Sequence, residues 1–279
     1  MKIITLIENH TDNQLKCEHG LSFYIEYNKK AYLLDAGQSA LFSENAKALG
    51  ISLQRVDKAF LSHGHYDHAG GFAAFVRENS GAAIYMQKAC AQDCFCQKAD
   101  GLKNIGIAQE VRPVLDGRVI YVEDNQQVEE GVYLVRHHGE NLSERGRQMQ
   151  MFRETAGEMK YDDFSHEQSL VFDTKNGLVV FNSCCHGGVD AILEEISETF
   201  GGRKILAMFG GFHLMGTEGP DSMRESREQV TLLAQKLACL NVDAWYTGHC
   251  TGTKAFPILK EVLGDKLHLL VTGTEIEIF

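Results

Sequence analysis

The chain has 279 residues, 44% of them hydrophobic and 23% charged, with only 3 prolines, a composition that excludes a disordered, collagen-like or low-complexity protein. Its 27 Lys and Arg against 38 Asp and Glu leave a formal charge of −11, which opposes a polyanionic nucleic acid or an anionic membrane surface and favours a small substrate. Eight cysteines at irregular spacing do not form a disulfide framework, and a core of this size needs no staples. The N-terminal run turns polar after Ile7, too early for a secretory signal, and no stretch nears the ~18 apolar residues of a membrane span. A cytoplasmic protein with reduced thiols is expected.

In chain order, β-rich runs predict strands over 2–8, 21–27 and 31–35, the last two joined at Asn28-Lys29-Lys30. Apolar residues at helical spacing predict a helix over 39–49, with Gly50 at its C-terminal cap. A strand over 58–62 is followed by a helix over 69–79 and by strands over 83–86, 119–122 and 132–135. The polar stretch 137–165 lacks a period and reads as a long loop. Beyond it, Asn176-Gly177 turns a hairpin between 169–174 and 178–182. Three helix–strand units follow, 189–199 into 204–209, 222–239 into 243–247 and 253–263 into 267–271, and a strand over 274–278 closes the chain. Hairpins in each half with helices between them imply an α/β protein of two sheets sandwiched by outer helices, and with no linker in sight 1–279 reads as a single domain.

The chemistry concentrates after the strand 58–62, in His63-Gly64-His65-Tyr66-Asp67-His68-Ala69-Gly70-Gly71. Three imidazoles and a carboxylate within six residues would repel on protonation unless a cation organised them. In an extended segment His63 and His65 project to one side and bind one metal together, while Asp67 and His68 turn toward a second. Gly64 and the Gly70-Gly71 pair permit the tight backbone path this requires.

His-x-His-x-Asp-His after a strand resembles the signature of the metallo-β-lactamase superfamily, whose four-layer αββα sandwich with mixed sheets agrees with the architecture above. Gly210-Gly211-Phe212-His213-Leu214, His249-Cys250-Thr251-Gly252 and Ser183-Cys184-Cys185-His186 are similar to motifs of a branch that includes archaeal proteins linked to dihydropterin-phosphate synthesis. The resemblance implies that Asp35 braces the histidine loop, that His166 is the third ligand of the first metal and that His249 is the last ligand of the second. Where the superfamily places a bridging aspartate this chain has Ser183-Cys184, so either the Cys184 thiolate bridges or His186 supplies the ligand. A thiolate would favour zinc, whereas an all-His/Asp shell leaves zinc, manganese and iron open. His65 stands where the redox-active diiron branch has glutamate, which favours hydrolysis.

The expected function is therefore a metal-dependent hydrolase acting on a small ester, lactone or phosphoester, with two divalent cations about 3.5–4 Å apart lowering the pKa of a shared water. Asp67 would double as proton acceptor and His213 as leaving-group acid. A pterin-phosphate synthase or transferase is the alternative, and a non-enzymatic metal or ligand sensor is the third reading. Cys90, Cys94 and Cys96 lack a second pair at zinc-finger spacing and read as structural thiols. Arg136, Arg145, Arg147 and Arg153 suggest a clamp for an anionic group, and Gly187-Gly188 before a helix could add backbone donors to it.

Overall fold

The computed structural model describes residues 1–219 and 221–279. These divide into two compact units interleaved in sequence, Met1–Glu123 with Asn141–Gln168 and Val271–Phe279 in one, and Asp124–Glu140 with Ser169–Leu270 in the other.

The first unit is built on a seven-stranded mixed sheet in the order Glu275–Glu277, Lys2–Ile7, Ser22–Tyr27, Lys30–Leu34, Lys58–Phe60, Ala83–Gln87 and Val119–Val122. Antiparallel pairing gives way to parallel pairing at Lys30–Leu34. The N-terminal hairpin turns where the sequence places it, with Asn28 and Lys29 both at positive φ, the backbone a tight hairpin turn needs. Helices Leu41–Ala48 and Phe72–Glu78 contribute Phe42, Ala46, Phe72 and Phe75 to a core with Leu33, Ala59, Leu61 and Ile84. Between strand and helix the chain turns tightly past the Gln38 and Ala36 carbonyls. A Cβ on Gly70 would lie 2.0 Å from Gln38 O, and one on Gly71 1.9 Å from Ala36 O, so glycine is the one residue that fits there.

The same unit carries a smaller antiparallel sheet in the order Glu158–Tyr161, Met151–Thr155, Cys94–Lys98 and Gly101–Asn104. This corrects the long loop expected over 137–165, which instead holds helix Leu142–Met149 and two strands. The sheet buries little: Cys96, Met149, Met151 and Phe164 form its core, and the strand Glu158–Tyr161 is exposed throughout. Polar strands covered on one side leave almost no hydrophobic period to read.

The second unit has a seven-stranded mixed sheet in the order Leu267–Leu269, Val242–Thr247, Ile205–Phe209, Gly177–Phe181, Gln168–Thr174, Val132–Arg136 and Gln126–Glu129. Parallel strands joined through helices Val189–Thr199, Arg227–Cys239 and Ala255–Leu263 reproduce the three expected helix–strand units. The second helix starts at Arg227 rather than 222, because Ser226 and Gln229 close a reciprocal capping box. Val180, Leu193, Met208, Val230, Trp245 and Leu259 are among its buried core residues. Among the described residues, no helix is long and apolar enough to cross a membrane.

Gly71→Ala should destabilise the protein by at least the roughly 1–3 kcal/mol typical of overpacking, because backbone rather than a flexible side chain must give way. Gly81→Ala, whose added methyl meets nothing within 4 Å, should be close to neutral. Urea unfolding of both variants checks the contrast.

Candidate metal centre

In the first unit the parallel pairing of Lys30–Leu34 with Lys58–Phe60 sets Leu34 opposite Phe60, so the two chains leave the sheet side by side. Asp35 follows immediately, in the left-handed region at φ 58°, a conformation Asp tolerates better than most residues. Its buried carboxylate accepts the Ser62 backbone N–H on Oδ1 at 2.7 Å, and on Oδ2 the Ser62 hydroxyl at 2.7 Å and His68 Nδ1 at 2.8 Å. Having given its proton to Asp35, Ser62 Oγ accepts from His63 Nδ1 at 2.8 Å. Both His63 and His68 are thereby held with their proton on Nδ1 and their lone pair on Nε2, the tautomer a metal ligand needs.

The rings gather closely. The His63 centroid is 4.5 Å from His65 and 4.2 Å from His68, and all three side chains are buried. Helix Tyr66–Ala69 begins directly after His65 and carries Asp67 and His68, and Asp67 Oδ2 lies 3.5 Å from His68 Nε2. That spacing is close to the roughly 3.4 Å between two ligands on a tetrahedral ion with bonds near 2.1 Å. Burial would lower the His68 pKa, but the Asp67 and Asp35 carboxylates outweigh it and push it up to about 10. Imidazole lone pairs and a carboxylate in a field that favours positive charge are a donor set that fits a divalent cation.

Of two further neighbours, His19 escaped the sequence reading, whereas Asp162, with Asp163 and Glu167, is an alternative to His166 as ligand in the sequence. His19, 41% exposed, places Nε2 at 3.3 Å from Asp67 Oδ2. Its only sequence signal was a histidine two residues ahead of a strand. Asp162, fully buried, pairs with His166, whose Nε2 donates to Asp162 Oδ2 at 3.1 Å while Nδ1 accepts the Gly64 N–H at 3.2 Å. Burial would raise the Asp162 pKa, but His166 holds it well below the usual carboxylate range. Donor atoms of His65, Cys94, Asp162 and His166 lie within 4.8 Å of one another. With both ring nitrogens engaged by protein, however, His166 acts in this structure on Gly64, the residue linking His63 to His65.

The second unit carries the other expected residues. Strand Gly177–Phe181 ends in Ser183-Cys184-Cys185-His186, a turn pinned by the Cys185 N–H on Asn182 Oδ1 at 2.8 Å and the Gly211 N–H on Ser183 O at 2.8 Å. His186 and His213 have ring centroids 4.4 Å apart. Cys184, His213 and Cys250 place donor atoms within 4.8 Å of one another. His249 opens the short turn His249–Thr251 beside Cys250. Cys185, His213 and His249 all have positive φ, strain of the kind that collects at functional sites.

Several side features resolve differently from the clamp and thiol expectations. Arg153 pairs with Asp163 at 2.6 Å and Arg147 with Glu144 at 2.6 Å, so both neutralise carboxylates of the protein itself. Cys90 donates to His166 O at 3.3 Å, and burial raises its pKa well above that of an ordinary thiol, which makes it a structural thiol as expected. Cys94 instead joins the His166 cluster. His137 bonds Glu195 through Nδ1 and Ser169 through Nε2, each at 2.8 Å.

Asp35→Ala should weaken divalent metal binding by about 10–100-fold, the usual cost of losing an outer partner of ligating histidines. Zinc affinity by competition with a chromogenic chelator, alongside circular dichroism to establish folding, measures it.

A profile of the metallo-beta-lactamase superfamily matches residues 15–142. A protein of Methanocaldococcus jannaschii named 7,8-dihydropterin-6-methyl-4-(beta-D-ribofuranosyl)-aminobenzene-5'-phosphate synthase is 27% identical, covering 98% of this chain and 95% of that protein. The crystal structure of Tm1679, a metal-dependent hydrolase of the beta-lactamase superfamily, matches with a TM-score of 0.83 at 29% identity over 100% of this chain and 99% of that one. Zn(2+)-bound PqqB from Methylobacterium extorquens, at a TM-score of 0.60 and 12% identity over 100% of both chains, shares the fold alone. With the His-x-His-x-Asp-His loop seated between strand and helix, the chain is similar to proteins of the metallo-beta-lactamase superfamily and shares their fold along its whole length.

Proposed function

We propose that this protein is a metal-dependent hydrolase of a small ester, lactone or phosphoester, working with two divalent cations, zinc foremost. The observation that carries the reading is the Asp35 relay, which sets the Nδ1 protons of His63 and His68 and so turns two Nε2 lone pairs, beside the Asp67 carboxylate, into a prepared donor set. Bound cations would lower the pKa of a water from 15.7 toward neutrality and offset the charge that develops on the substrate.

The chain's own residues do the positioning. His63, His65, Asp67 and His68 supply ligands, the superfamily pattern adds His166 and His249, and Cys184 or His186 stands in for its bridging aspartate. Asp67 takes up the proton that the attack releases, and His19, in contact with it at 3.3 Å, orients its carboxylate. His166 fixes Gly64 and with it the angle between His63 and His65. Eight cysteines, all unbridged, suit a reducing cytoplasm, and the −11 charge leaves a small substrate, not a nucleic acid, as the partner.

A second reading is favoured by the 27% identity to the dihydropterin-ribofuranosylaminobenzene-phosphate synthase. There the same donor set would hold a pterin that carries a pyrophosphate leaving group, displaced by an aromatic amine nucleophile rather than by water.

Purified protein, stripped with a chelator and reloaded with zinc, manganese or iron, should hydrolyse members of an ester, lactone and phosphodiester panel only when loaded. His63→Ala and Asp67→Asn should each lose more than about 100-fold in turnover, exceeding the upper end of the cost of a lost outer partner, while remaining folded. Pyrophosphate release that requires an added aromatic amine, with no hydrolysis of any panel member, would replace the hydrolase reading by the synthase.

A further inference from the structure

The second unit contains a buried polar chain that the proposed reaction does not use. Strands Val132–Arg136, Gln168–Thr174 and Gly177–Phe181 are neighbours in its sheet. The pairing of Leu170 with Phe181 leads to Ser169 and Asn182 side by side, and His137 follows directly on Arg136. All three residues are buried. His137 Nδ1 donates to Glu195 Oε2 at 2.8 Å, and its Nε2 accepts the Ser169 hydroxyl at 2.8 Å. Asn182 Nδ2 donates to Ser169 Oγ at 3.0 Å and lies 3.3 Å from His137 Nε2. An ionised carboxylate can only accept, so Glu195 places the His137 proton on Nδ1 and leaves Nε2 as an acceptor facing the Asn182 amide.

The other end of that amide holds the turn that follows. Asn182 Oδ1 accepts the Cys185 N–H at 2.8 Å, and Cys185 sits at φ 51°, a conformation a non-glycine residue keeps only where its surroundings over-determine it. Cys185 lies between Cys184 and His186, the two candidates for the bridging ligand, so its backbone angles set where both side chains start. The Asn182 backbone is itself fixed, because its N–H donates to Phe209 O at 3.0 Å and a Cβ on Gly210 would stand 1.8 Å from Asn182 O. Beyond the turn, the Gly188 N–H bonds Cys185 O at 2.9 Å, and helix Val189–Thr199 begins. That helix carries Glu195, whose Oε1 also accepts the His138 N–H at 3.0 Å. His137 therefore links Asn182, before the turn, to Glu195, beyond it.

We propose that His137 is a positioning residue for the reaction, a role that rests on the hydrolase reading in taking Cys184 or His186 as a ligand. As a neutral imidazole with its proton on Nδ1, it locks the Asn182 amide, and the locked amide holds Cys185 in the conformation that presents Cys184 and His186. The orientation of the amide is what matters. With Nδ2 toward Ser169 and His137, Oδ1 meets the Cys185 N–H. Turned over, Nδ2 would face that N–H, donor against donor, and the turn would lose its bond. The Ser169 hydroxyl can serve either orientation, since it both donates and accepts. The His137 Nε2 lone pair cannot donate, so it admits only one.

A double-mutant cycle on zinc affinity tests this, measured in the full chain by competition with a chromogenic chelator. His137→Ala and Asn182→Ala should each weaken zinc binding about tenfold, the low end of the cost of losing an outer partner of a ligand. Because one acts through the other, the double variant should bind no worse than the weaker of the two single variants. Leu237→Ala, a core truncation in helix Arg227–Cys239 outside the relay, should cost stability and leave zinc affinity in place. Unchanged affinity in His137→Ala, losses that multiply to about a hundredfold in the double variant, or an equal loss in Leu237→Ala would overturn the proposal. Should the variants fail to fold, the unmodified protein still answers. The nitrogen chemical shifts of its His137 ring must place the proton on Nδ1, and a proton on Nε2 overturns the proposal as well. Zinc affinity is read without substrate, so absent turnover beside a non-additive cycle removes the hydrolase reading alone.

Discussion

The buried carboxylate of Asp35 is the constraint on which the first donor set depends. A carboxylate removed from water costs several kcal/mol unless its oxygens are bonded, and here three donors meet it from Ser62 and His68. That requirement runs in both directions. The folded loop satisfies the carboxylate, and the carboxylate fixes the rotation and tautomer of the histidines. The sheet register makes the meeting possible, since Leu34 opposite Phe60 brings the residues just beyond each strand end together. An interaction between residues far apart in sequence is thus set by a few parallel hydrogen bonds.

The same device recurs at His166. Its bond to Asp162 fixes the ring, and its other nitrogen takes the Gly64 N–H, so the short link between His63 and His65 is held from outside. One carboxylate governs the ends of the loop and another governs its middle. Gly70 and Gly71 close the return path by letting the chain pass within contact distance of the Gln38 and Ala36 carbonyls.

Much of this was legible in the sequence because it is local. The histidine loop is six residues long, the Asn28-Lys29-Lys30 and Asn176-Gly177 turns carry their own backbone signals, and the helix–strand units of the second half keep a clean period. What escaped is what only three-dimensional pairing creates. His19 meets Asp67 and Cys250 joins Cys184 and His213 across long stretches of chain; the motifs around the last three stand out in the sequence but their meeting does not, and nothing beside His19 marks it. The small sheet escaped for another reason. Cys94–Lys98 and Met151–Thr155 pair across dozens of residues, and with so little buried area their alternation never rises above a polar background.

Charge supplies the remaining step. Asp35 and Asp162 are fully buried and Asp67 nearly so, yet among the described residues the one buried arginine, Arg153, bonds Asp163 and stands 4.0 Å from Asp162. The basic groups that meet Asp35 and Asp67 are the imidazoles of His68 and His19, so the positive charge their surroundings favour comes from a protonated imidazole or from a bound ion. Against the effect of burial, the Asp67 and Asp35 carboxylates push the His68 pKa up to about 10, which is that demand met by a proton. A proton on Nε2 blocks the lone pair that the Asp35 bond to Nδ1 exposes, so proton and metal compete for one atom. The carboxylates thus draw in positive charge of either kind, and the relay through Ser62 and His68 keeps the Nε2 lone pairs available to whichever arrives.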